Sequence, residues 1–355
     1  MNDLMAAWRE RIRASAATQA PLRVVGGGSK DFYGQELIGE RFDAAPYRGI
    51  VDYDPTELVL TARCGTPLAE VEQTLAEGGQ MLAFEPPHFG PNATFGGCIA
   101  SGLSGPRRPF AGAVRDVVLG VRLLDGRGDD LSFGGRVMKN VAGFDVSRLI
   151  AGSLGTLGVL LEASVKCLPR PTSETTLALE MNCTEALRCF EDWSKVPLPL
   201  SASCWHANRL IVRLSGAPSA IADAQRRIGG EVLPDPDAFW IAVREQRHPF
   251  FKREGTDLWR CSVRATAPSP DIGGEPLIEW SGALRWFAPA RRDQGRALRE
   301  WAQQHGGHAT LFRSDDKTIG AFQPLAPALL TLHQRLKAAL DPAAIFNPRR
   351  MYPEF

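Results

Sequence analysis

Apolar positions in the first half of the chain form short strand-like runs, interrupted by turns and by stripes at helical spacing. The strand-like runs cover residues 22–25, 49–52, 57–62, 117–124, 131–133 and 159–165. Between them, Leu68, Val71 and Leu75 form a helical stripe, with Thr66 as the predicted N-cap and Pro67 as the first helical residue. This mixture predicts an α/β core in which sheet and helix pack together.

The stretch 133–165 predicts a short helix, a loop of small residues and a buried strand. Asp145 is the predicted N-cap, and Val146, Leu149 and Ile150 are the predicted buried side of the helix. The loop that follows is built from residues with little or no side chain: Gly152, Ser153, Gly155, Thr156 and Gly158. Such a cluster indicates a tight turn or a close approach of the backbone to a neighbour or a ligand.

The pattern changes after residue 170, where shorter strand and helix segments alternate. Residues 209–214 and 259–265 are strand-like, and residues 221–228 carry a helical stripe closed by Gly229. These features predict a second domain built on an antiparallel sheet with covering helices. A last helix is expected over residues 326–340, followed by a proline-rich tail that cannot be helical throughout.

Composition narrows the class of protein. The 355 residues carry a formal net charge of +1, so the sequence gives no electrostatic reason to expect a nucleic-acid partner. No apolar run is long enough to span a bilayer, and the N-terminal segment lacks the apolar core of a secretory signal, so a cytoplasmic location is expected. The seven cysteines are scattered without a C-x-x-C pair, which favours reduced thiols and argues against a metal site or an iron–sulfur cluster held by this chain alone.

A glycine run follows the first predicted strand. Residues 26–30 read GGGSK, and such a run offers backbone N–H groups that can form a nest for an anion. Neither a Rossmann fingerprint nor a Walker loop is present. A second segment, residues 85–109, is a long connection dense in glycine, proline and serine, the kind of loop that tends to be functional. Arg107 and Arg108 near its end could face a phosphate or a carboxylate.

Four segments in this order, RVVGGGSK, ATFGGCIASGLSGPRRP, GAVRDVVLGVRLLDGRG and KNVAGFDVSRLIAGSLGTLGV, resemble the PCMH-type FAD-binding domain of the vanillyl-alcohol oxidase family. The closing DPAAIFNPRRMY is similar to the tail of its D-lactate and glycolate oxidase branch. The resemblance implies an α+β fold, with a PCMH-type two-subdomain FAD-binding domain and a smaller antiparallel-sheet-plus-helix cap domain. The expected boundaries are 1–20 for an N-terminal helix, 21–170 for the FAD domain, 171–325 for the cap, and 326–355 for a helix and tail that return to the FAD domain.

The resemblance also implies which residues hold FAD. They are Gly26, Gly27, Gly28, Ser29 and Lys30 at the pyrophosphate; Thr94, Gly96, Gly97, Cys98 and Ser101 in a second loop; the pair Arg115 and Asp116; and Lys139, Asn140, Gly155 and Gly158 beside the flavin. Some relatives carry a histidine at the position of Ser29 and bind the flavin covalently through it. Serine cannot do so, and the FAD is therefore expected to be non-covalent. Phe144 stands where relatives usually have tyrosine.

The implied function is that of an FAD-binding subunit of a glycolate or D-lactate oxidase complex, which oxidises a 2-hydroxy acid to the 2-oxo acid. Arg107, Lys139 and Arg349 are the cationic candidates for binding the substrate carboxylate, and His305 and His308 are weaker candidates for the base. Catalytic relatives have a Gly-Asp-Gly-Asn segment with flanking histidines in the cap. The comparable segment here, GGHATLFR from Gly306, lacks the acid and the amide.

That departure leaves a second hypothesis open. The chain would then be a non-catalytic flavin-bearing subunit for electron transfer and assembly, beside a sister flavoprotein that performs the chemistry. Under both hypotheses the expected partners are a second FAD subunit and an iron–sulfur subunit, and membrane contact is expected only through those partners.

Overall fold

The computed structural model describes residues 2–135, 145–252, 255–272 and 274–355. The helices are α1 Asn2–Thr18, α2 Leu68–Glu77, α3 Phe95–Ser101, α4 Arg108–Ala111, α5 Val114–Val117, α6 Val146–Ile150, α7 Cys183–Trp193, α8 Pro218–Ile228, α9 Pro236–Arg244, α10 Gln294–Gln304 and α11 Pro327–Leu340. Short 3-10 turns cover Pro249–Phe251 and Trp280–Gly282.

The strands of the first 170 residues are β1 Leu22–Val25, β2 Glu40–Asp43, β3 Ile50–Asp54, β4 Val59–Arg63, β5 Gln80–Met81, β6 Val118–Leu124, β7 Asp130–Gly134, β8 Val159–Lys166 and β9 Leu168–Pro169. The remaining strands are β10 Ser173–Glu180, β11 Leu200–His206, β12 Arg209–Gly216, β13 Glu231–Val232, β14 Leu258–Ser262, β15 Leu277–Glu279, β16 Leu284–Phe287 and β17 His308–Arg313.

The first half of the chain is built on an antiparallel five-stranded sheet in the order β3-β4-β8-β6-β7. One face packs against α2 and α3, where Leu68, Val71 and Leu75 are fully buried as the helical stripe predicts. The other face packs against α1 and the parallel pair β1-β2. Because both faces of this sheet are covered by apolar side chains, it lies at the centre of the first half of the chain.

The last residues of the chain pack beside β1. We call residues 341–355 the tail. The backbone N–H of Leu22 donates to the carbonyl of Ile345 at 2.7 Å, and the N–H of Asn347 donates back to the carbonyl of Leu22 at 2.9 Å. Ile345 and Phe346 are buried in the same cluster as Leu22. The tail therefore acts as a structural neighbour of the first strand, although more than 300 residues separate the two in sequence.

The second half forms an antiparallel eight-stranded sheet in the order β13-β10-β12-β11-β15-β16-β14-β17. Helices α7 and α8 cover one region of this sheet, and α10 covers another. A further cluster joins the sheet to the first half of the chain, since Tyr33 and Leu103 pack there with Trp286 and Phe312. This contact places the second sheet over the connection that follows β1.

Two local predictions were wrong in detail. Helix α2 has Pro67 as its N-cap, and Thr66 instead accepts a hydrogen bond from the N–H of Gly49 at 2.8 Å. In α6 the N-cap Asp145 is confirmed, but Leu149 is 47% exposed, while Ser147 and Ile150 are buried. A helix of five residues makes little more than one turn, so one polar contact, from the Ser147 hydroxyl to Asp145 at 2.6 Å, helps fix which side turns inward.

Candidate functional site

The glycine loop (residues 26–30) lines an open cleft of about 110 Å³ at the end of β1. Among the described residues, none places a hydrogen-bond acceptor on the five backbone N–H groups of this loop. The next amide, Asp31 N–H, already donates to the carbonyl of Gly28 at 3.1 Å. Backbone donors away from bulk solvent are normally paired, so five consecutive free donors beside a cleft indicate a place for an anionic group.

The second wall of the cleft is the start of α3, and it differs from the glycine loop. The first four amides of this helix, residues 95–98, all donate to protein acceptors, among them the Thr94 side chain, which accepts from Gly97 at 3.2 Å. The cleft is lined by four of the five residues predicted for the second loop: Thr94, Gly96, Gly97 and Ser101. These residues therefore shape the wall of the cleft and let the backbone come close to a ligand, but they add no free amides.

Several of the glycines permit this approach of one loop to another. A Cβ on Gly26 would collide with the Thr94 hydroxyl, and one on Gly27 would collide with the backbone carbonyl of Asn92. A Cβ on Gly96 would lie 2.6 Å from the Cβ of Cys64. Gly28 has a φ of +71°, a left-handed conformation that glycine adopts without strain. Glycine is thus required here for packing as well as for access to a ligand.

The third wall contains the loop between α6 and β8 together with the tail. Gly155 and Gly158 line the cleft, as does Asn347. The Asn347 carboxamide accepts a hydrogen bond from Val24 N–H at 2.8 Å and donates one to the Leu154 carbonyl at 2.7 Å. One side chain therefore connects β1 to the small-residue loop. Sequence reasoning missed Asn347, because its partners lie 193 and 323 residues away.

Three cations hold the segment that follows the glycine loop, which we call the support segment (residues 31–35). Arg350 donates to the carbonyls of Asp31, at 2.7 Å, and Gln35, and Lys317 donates to the carbonyls of Phe32 and Gly34. The guanidinium carbon of Arg313 lies 3.4 Å from the ring centroid of Phe32.

Burial lowers the pKa of Arg350 to about 10, and burial together with the charges of Arg350 and Arg313 lowers the pKa of Lys317 to about 8. Burial also lowers the pKa of Lys30, which donates to the His88 carbonyl at 3.2 Å and lines the cleft. The resulting cluster of cations is a favourable electrostatic environment for an anion at this end of the cleft.

Some of the predicted FAD residues lie outside the lining of the cleft. Cys98 is fully buried, and burial raises the pKa of its thiol to about 12. Asp116 accepts a hydrogen bond from Ala113 N–H at 2.8 Å at the start of α5, and Arg115 is an exposed neighbour 3.7 Å from its carboxylate. Lys139, Asn140 and Phe144 lie outside the described residues.

The substrate-binding candidates are also separate from the cleft. Arg107 is buried in an ion-pair network with Glu85 and Glu174, at 3.3 and 2.5 Å. Arg349 is exposed, whereas the adjacent Arg350 lines the cleft. The third candidate, Lys139, is not described. The structure thus places Arg350, and not the predicted Arg349, in the lining of the cleft.

The histidine candidates belong to the second sheet. His305 follows α10, and its ring packs against Trp301 with centroids 5.6 Å apart. His308 begins β17, the strand that contains most of the segment GGHATLFR. Neither histidine lines the cleft at the glycine loop. Within the described ranges, no group of three histidine, cysteine or carboxylate side chains is arranged to hold a metal ion.

The cleft fits the pyrophosphate of a dinucleotide. A doubly charged group taken out of water needs several donors, and residues 26–30 offer five amides without a protein acceptor beside the cleft. No helix in the described part of the chain combines the length and the apolar character needed to cross a bilayer.

Comparison with known proteins agrees with this interpretation. Residues 5–134 match the family model for an FAD binding domain. The chain is 47% identical to the glycolate oxidase subunit GlcE of Escherichia coli over 352 residues, which cover 99% of this chain and 98% of that protein. It is 34% identical to the glycolate oxidase subunit GlcD of Bacillus subtilis, over 40% of this chain and 30% of that protein.

A solved structure of an alkyldihydroxyacetonephosphate synthase aligns with a TM-score of 0.65 at 15% identity and covers 97% of this chain and 75% of that one. The likeness concerns the fold alone. The predicted α+β fold with a PCMH-type FAD-binding domain is confirmed, and so is FAD as the cofactor. Identity at this level over almost the whole of both chains establishes the relationship: this protein belongs to the family of the FAD-binding glycolate oxidase subunit GlcE.

Proposed function

We propose that this chain is the FAD-binding subunit of a complex that oxidises glycolate, or D-lactate, to the corresponding 2-oxo acid and passes the electrons through flavin to partner subunits. The observation that carries the proposal is the glycine loop, with five free amides lining a cleft in a chain of this family. A relative named as a D-lactate dehydrogenase, from Saccharomyces cerevisiae, matches over 43% of this chain at 29% identity and supports the same class of reaction.

In this proposal the amides of residues 26–30 hold the pyrophosphate, and Lys30 adds positive charge beside it. Gly155 and Gly158 allow the backbone to approach the dinucleotide, and Asn347 fixes that backbone through its hydrogen bond to the Leu154 carbonyl. Bound flavin supplies the acceptor for the hydride of the 2-hydroxy acid. Serine at position 29 leaves the cofactor non-covalent.

The expected partners are a second FAD subunit and an iron–sulfur subunit. A reduced flavin needs an electron acceptor, and the proposal assigns that role to the iron–sulfur partner. The name of the GlcE relative, a subunit, supports assembly into a larger complex. We expect the chain to be cytoplasmic and to contact the membrane only through these partners.

One observation favours the alternative, in which this chain carries flavin for electron transfer and assembly while a sister subunit performs the oxidation. The described substrate-binding candidates, Arg107 and Arg349, lie outside the cleft, the first in an ion-pair network and the second at the surface. Under this alternative the flavin is bound but is not reduced by substrate.

The deciding experiment is anaerobic addition of glycolate, and separately of D-lactate, to the purified chain with its flavin. Bleaching of the flavin absorbance by the chain alone assigns the oxidation to this subunit. Absence of bleaching, together with recovered dye reduction after mixing with the partner subunits, assigns it to the sister subunit. Acid precipitation of the same sample should release all flavin to the supernatant; yellow colour retained in the washed pellet would contradict non-covalent binding.

A further inference from the structure

Two adjacent arginines have opposite environments. The Arg107 guanidinium is fully engaged by Glu85, Glu174 and Ser215. The Arg108 side chain makes no hydrogen bond or ion pair with any described residue. Its guanidinium carbon instead lies 4.3 Å from the ring centroid of Trp280. A half-buried guanidinium has five N–H donors, and here they have no protein acceptor within the described ranges.

A second arginine lies over the same indole. Arg260, on β14, has its guanidinium carbon 5.0 Å from the Trp280 ring centroid and 5.9 Å from that of Trp286. It also makes no hydrogen bond or ion pair within the part of the chain that the structure describes. Arg260 lines a small cavity of about 30 Å³ between the second sheet and residues 103–105. Its donors therefore have space beside them.

Trp280, whose ring contacts both arginines, has a strained backbone conformation. Trp280 has a φ of +55° and Ser281 a φ of +52°, left-handed values that are uncommon for residues other than glycine and very unfavourable for a bulky one. The Trp280 Nε1–H donates to the Gly105 carbonyl at 3.0 Å, and Ser281 N–H donates to the Ser203 hydroxyl at 2.8 Å. Such strain persists where the surrounding structure enforces it, and it clusters at functional sites.

The carboxyl groups near the pair are Asp116, beside Arg108, and Glu279, beside Arg260. On β15, Glu279 accepts a hydrogen bond from Trp286 Nε1 at 2.7 Å, and among the described residues no salt bridge joins it to Arg260. Burial raises the pKa of Glu279 to about 7, so this carboxyl is partly protonated near neutral pH. Burial and the charge of Arg260 lower the pKa of Arg108. Unpaired guanidiniums out of bulk water are costly unless a ligand compensates them, and their planar donors match a carboxylate.

We propose that Arg108, Arg260 and the ring of Trp280 form a binding site for a small monocarboxylate. The identity of that acid as a 2-hydroxy acid rests on the proposed function, whereas the site itself rests on the two unpaired guanidiniums. Arg108 and Arg260 also lie outside the lining of the cleft at the glycine loop, so the proposal concerns carboxylate binding itself and not the distance of the acid from the flavin.

The test is isothermal calorimetry on the purified full chain with its flavin, under anaerobic conditions. The probes are glycolate, acetate, which keeps the carboxylate, and glycolamide, which is neutral. The variants are Arg108→Gln, Arg260→Gln, the double variant and Arg260→Lys. Arg226→Gln is the control, since this arginine is exposed on α8. Thermal unfolding and flavin content of each variant identify any loss of folding.

Glycolate and acetate should bind and glycolamide should not. Each glutamine variant should weaken glycolate binding by about 10- to 100-fold, since each removes charge-assisted hydrogen bonds. Arg260→Lys should recover part of the affinity, because lysine keeps the charge without the planar fork. Unchanged affinity in the double variant, equal binding of glycolamide, or no binding of glycolate to the wild-type chain would overturn the proposal. If Arg260→Gln does not fold, the half-buried Arg108→Gln decides alone.

This result is separable from the proposed function. Arginine-dependent glycolate binding without flavin bleaching would keep the site and reject oxidation by this chain. Flavin bleaching that is insensitive to both glutamine variants would keep the oxidation and reject the site.

Discussion

Ser29 is the residue at which the properties of the glycine loop can be tested without disturbing its packing. Its side chain is half-buried, and its hydroxyl accepts from Lys30 Nζ at 3.4 Å. Gly27 is unsuitable for the same purpose, since any side chain there would collide with the Asn92 carbonyl before it met a phosphate. A variant at Gly27 would report on folding rather than on binding.

We expect Ser29→Asp to weaken FAD binding by about 10-fold or more, because two unit charges of like sign ~4 Å apart near a protein surface repel by about 4 kcal/mol. Ser29→Asn, which has similar size and no charge, should retain most of the cofactor. The measurement is the ratio of flavin absorbance to protein absorbance after purification, followed by titration of the apoprotein with FAD. Equal FAD affinity in the two variants would place the pyrophosphate away from this loop.

Residue types predicted the loop, but not the role of each member. The run GGGSK correctly indicated free backbone donors after a strand. Arg107 and Arg108 are adjacent, as are Arg349 and Arg350. Which arginine of each pair is free to bind a ligand depends on whether its side chain contacts a carboxylate or lines a cleft. Glu174 and Asp31, which contact Arg107 and Arg350, lie 67 and 319 residues away. Spacing along the chain carries no signal for such contacts.

At the scale of elements, the pairing of β1 with the tail positions the cleft. Asn347 has a φ of +40°, so replacement with glycine removes the carboxamide without adding backbone strain. Asn347→Gly leaves Val24 N–H and the Leu154 carbonyl without their partner. We expect a loss of about 1–3 kcal/mol in the free energy of unfolding, together with lower flavin content.

The matched control is Asn208→Gly. Asn208 also has a positive φ, of +56°, but is exposed in the turn between β11 and β12. Its free energy of unfolding, measured by denaturant titration, should stay within about 0.5 kcal/mol of the wild-type value. A similar loss at both positions would mean that the bridge from the Asn347 side chain contributes nothing of its own.

Elements with strong periodicity were predictable, and marginal ones were not. The apolar stripe of α2 correctly predicted its buried face. Its ten residues make nearly three turns, so the apolar positions repeat on one side of the helix. In α6 the predicted burial of Leu149 failed, since a five-residue helix has no such redundancy. The eight-stranded sheet was foreseen only as an antiparallel sheet with helices. Its strand order depends on pairings such as that of β14 with β16 and β17 on either side.

At the scale of the whole molecule, the network around Arg107 joins the two halves of the chain. Glu85 and Arg107 come from the first half, and Glu174 and Arg213 come from β10 and β12. Arg213 contacts Glu85 at 2.7 Å, and Arg107 contacts Glu174 at 2.5 Å. Net charge and composition could not predict this network, because it depends on how the two sheets pack together.

The network predicts a pH-dependent contribution to stability. Burial opposes ionisation of Glu174, but hydrogen bonds from Ser215 and Arg107 and the nearby guanidinium charges outweigh it and lower its pKa. Because the folded-state pKa lies below the unfolded value near 4.5, the contribution is fully present above that pH and is lost as the pH falls through the folded-state pKa. Glu174→Gln should therefore cost about 1 kcal/mol at pH 7, the upper end for a partly exposed ion pair.

Denaturant titrations at several pH values check this expectation. The stability difference between wild type and Glu174→Gln should shrink as the pH falls below about 4.5. Glu180→Gln is the control on the same strand, because its 3.6 Å contact with Arg209 is exposed to solvent and should contribute little at any pH. A difference that does not change with pH would mean that Glu174 acts through packing and not through its charge.

The position of the tail has a consequence for biosynthesis. Two of the side chains that line the cleft, Asn347 and Arg350, leave the ribosome more than 300 residues after the glycine loop. N-terminal segments generally begin to fold while translation continues. Here the nascent chain has its free amides long before it has the residues that brace them. We therefore expect the cleft to be complete only after residue 350 has emerged, so that a chain ending before Asn347 should bind FAD more weakly than the chain with both segments.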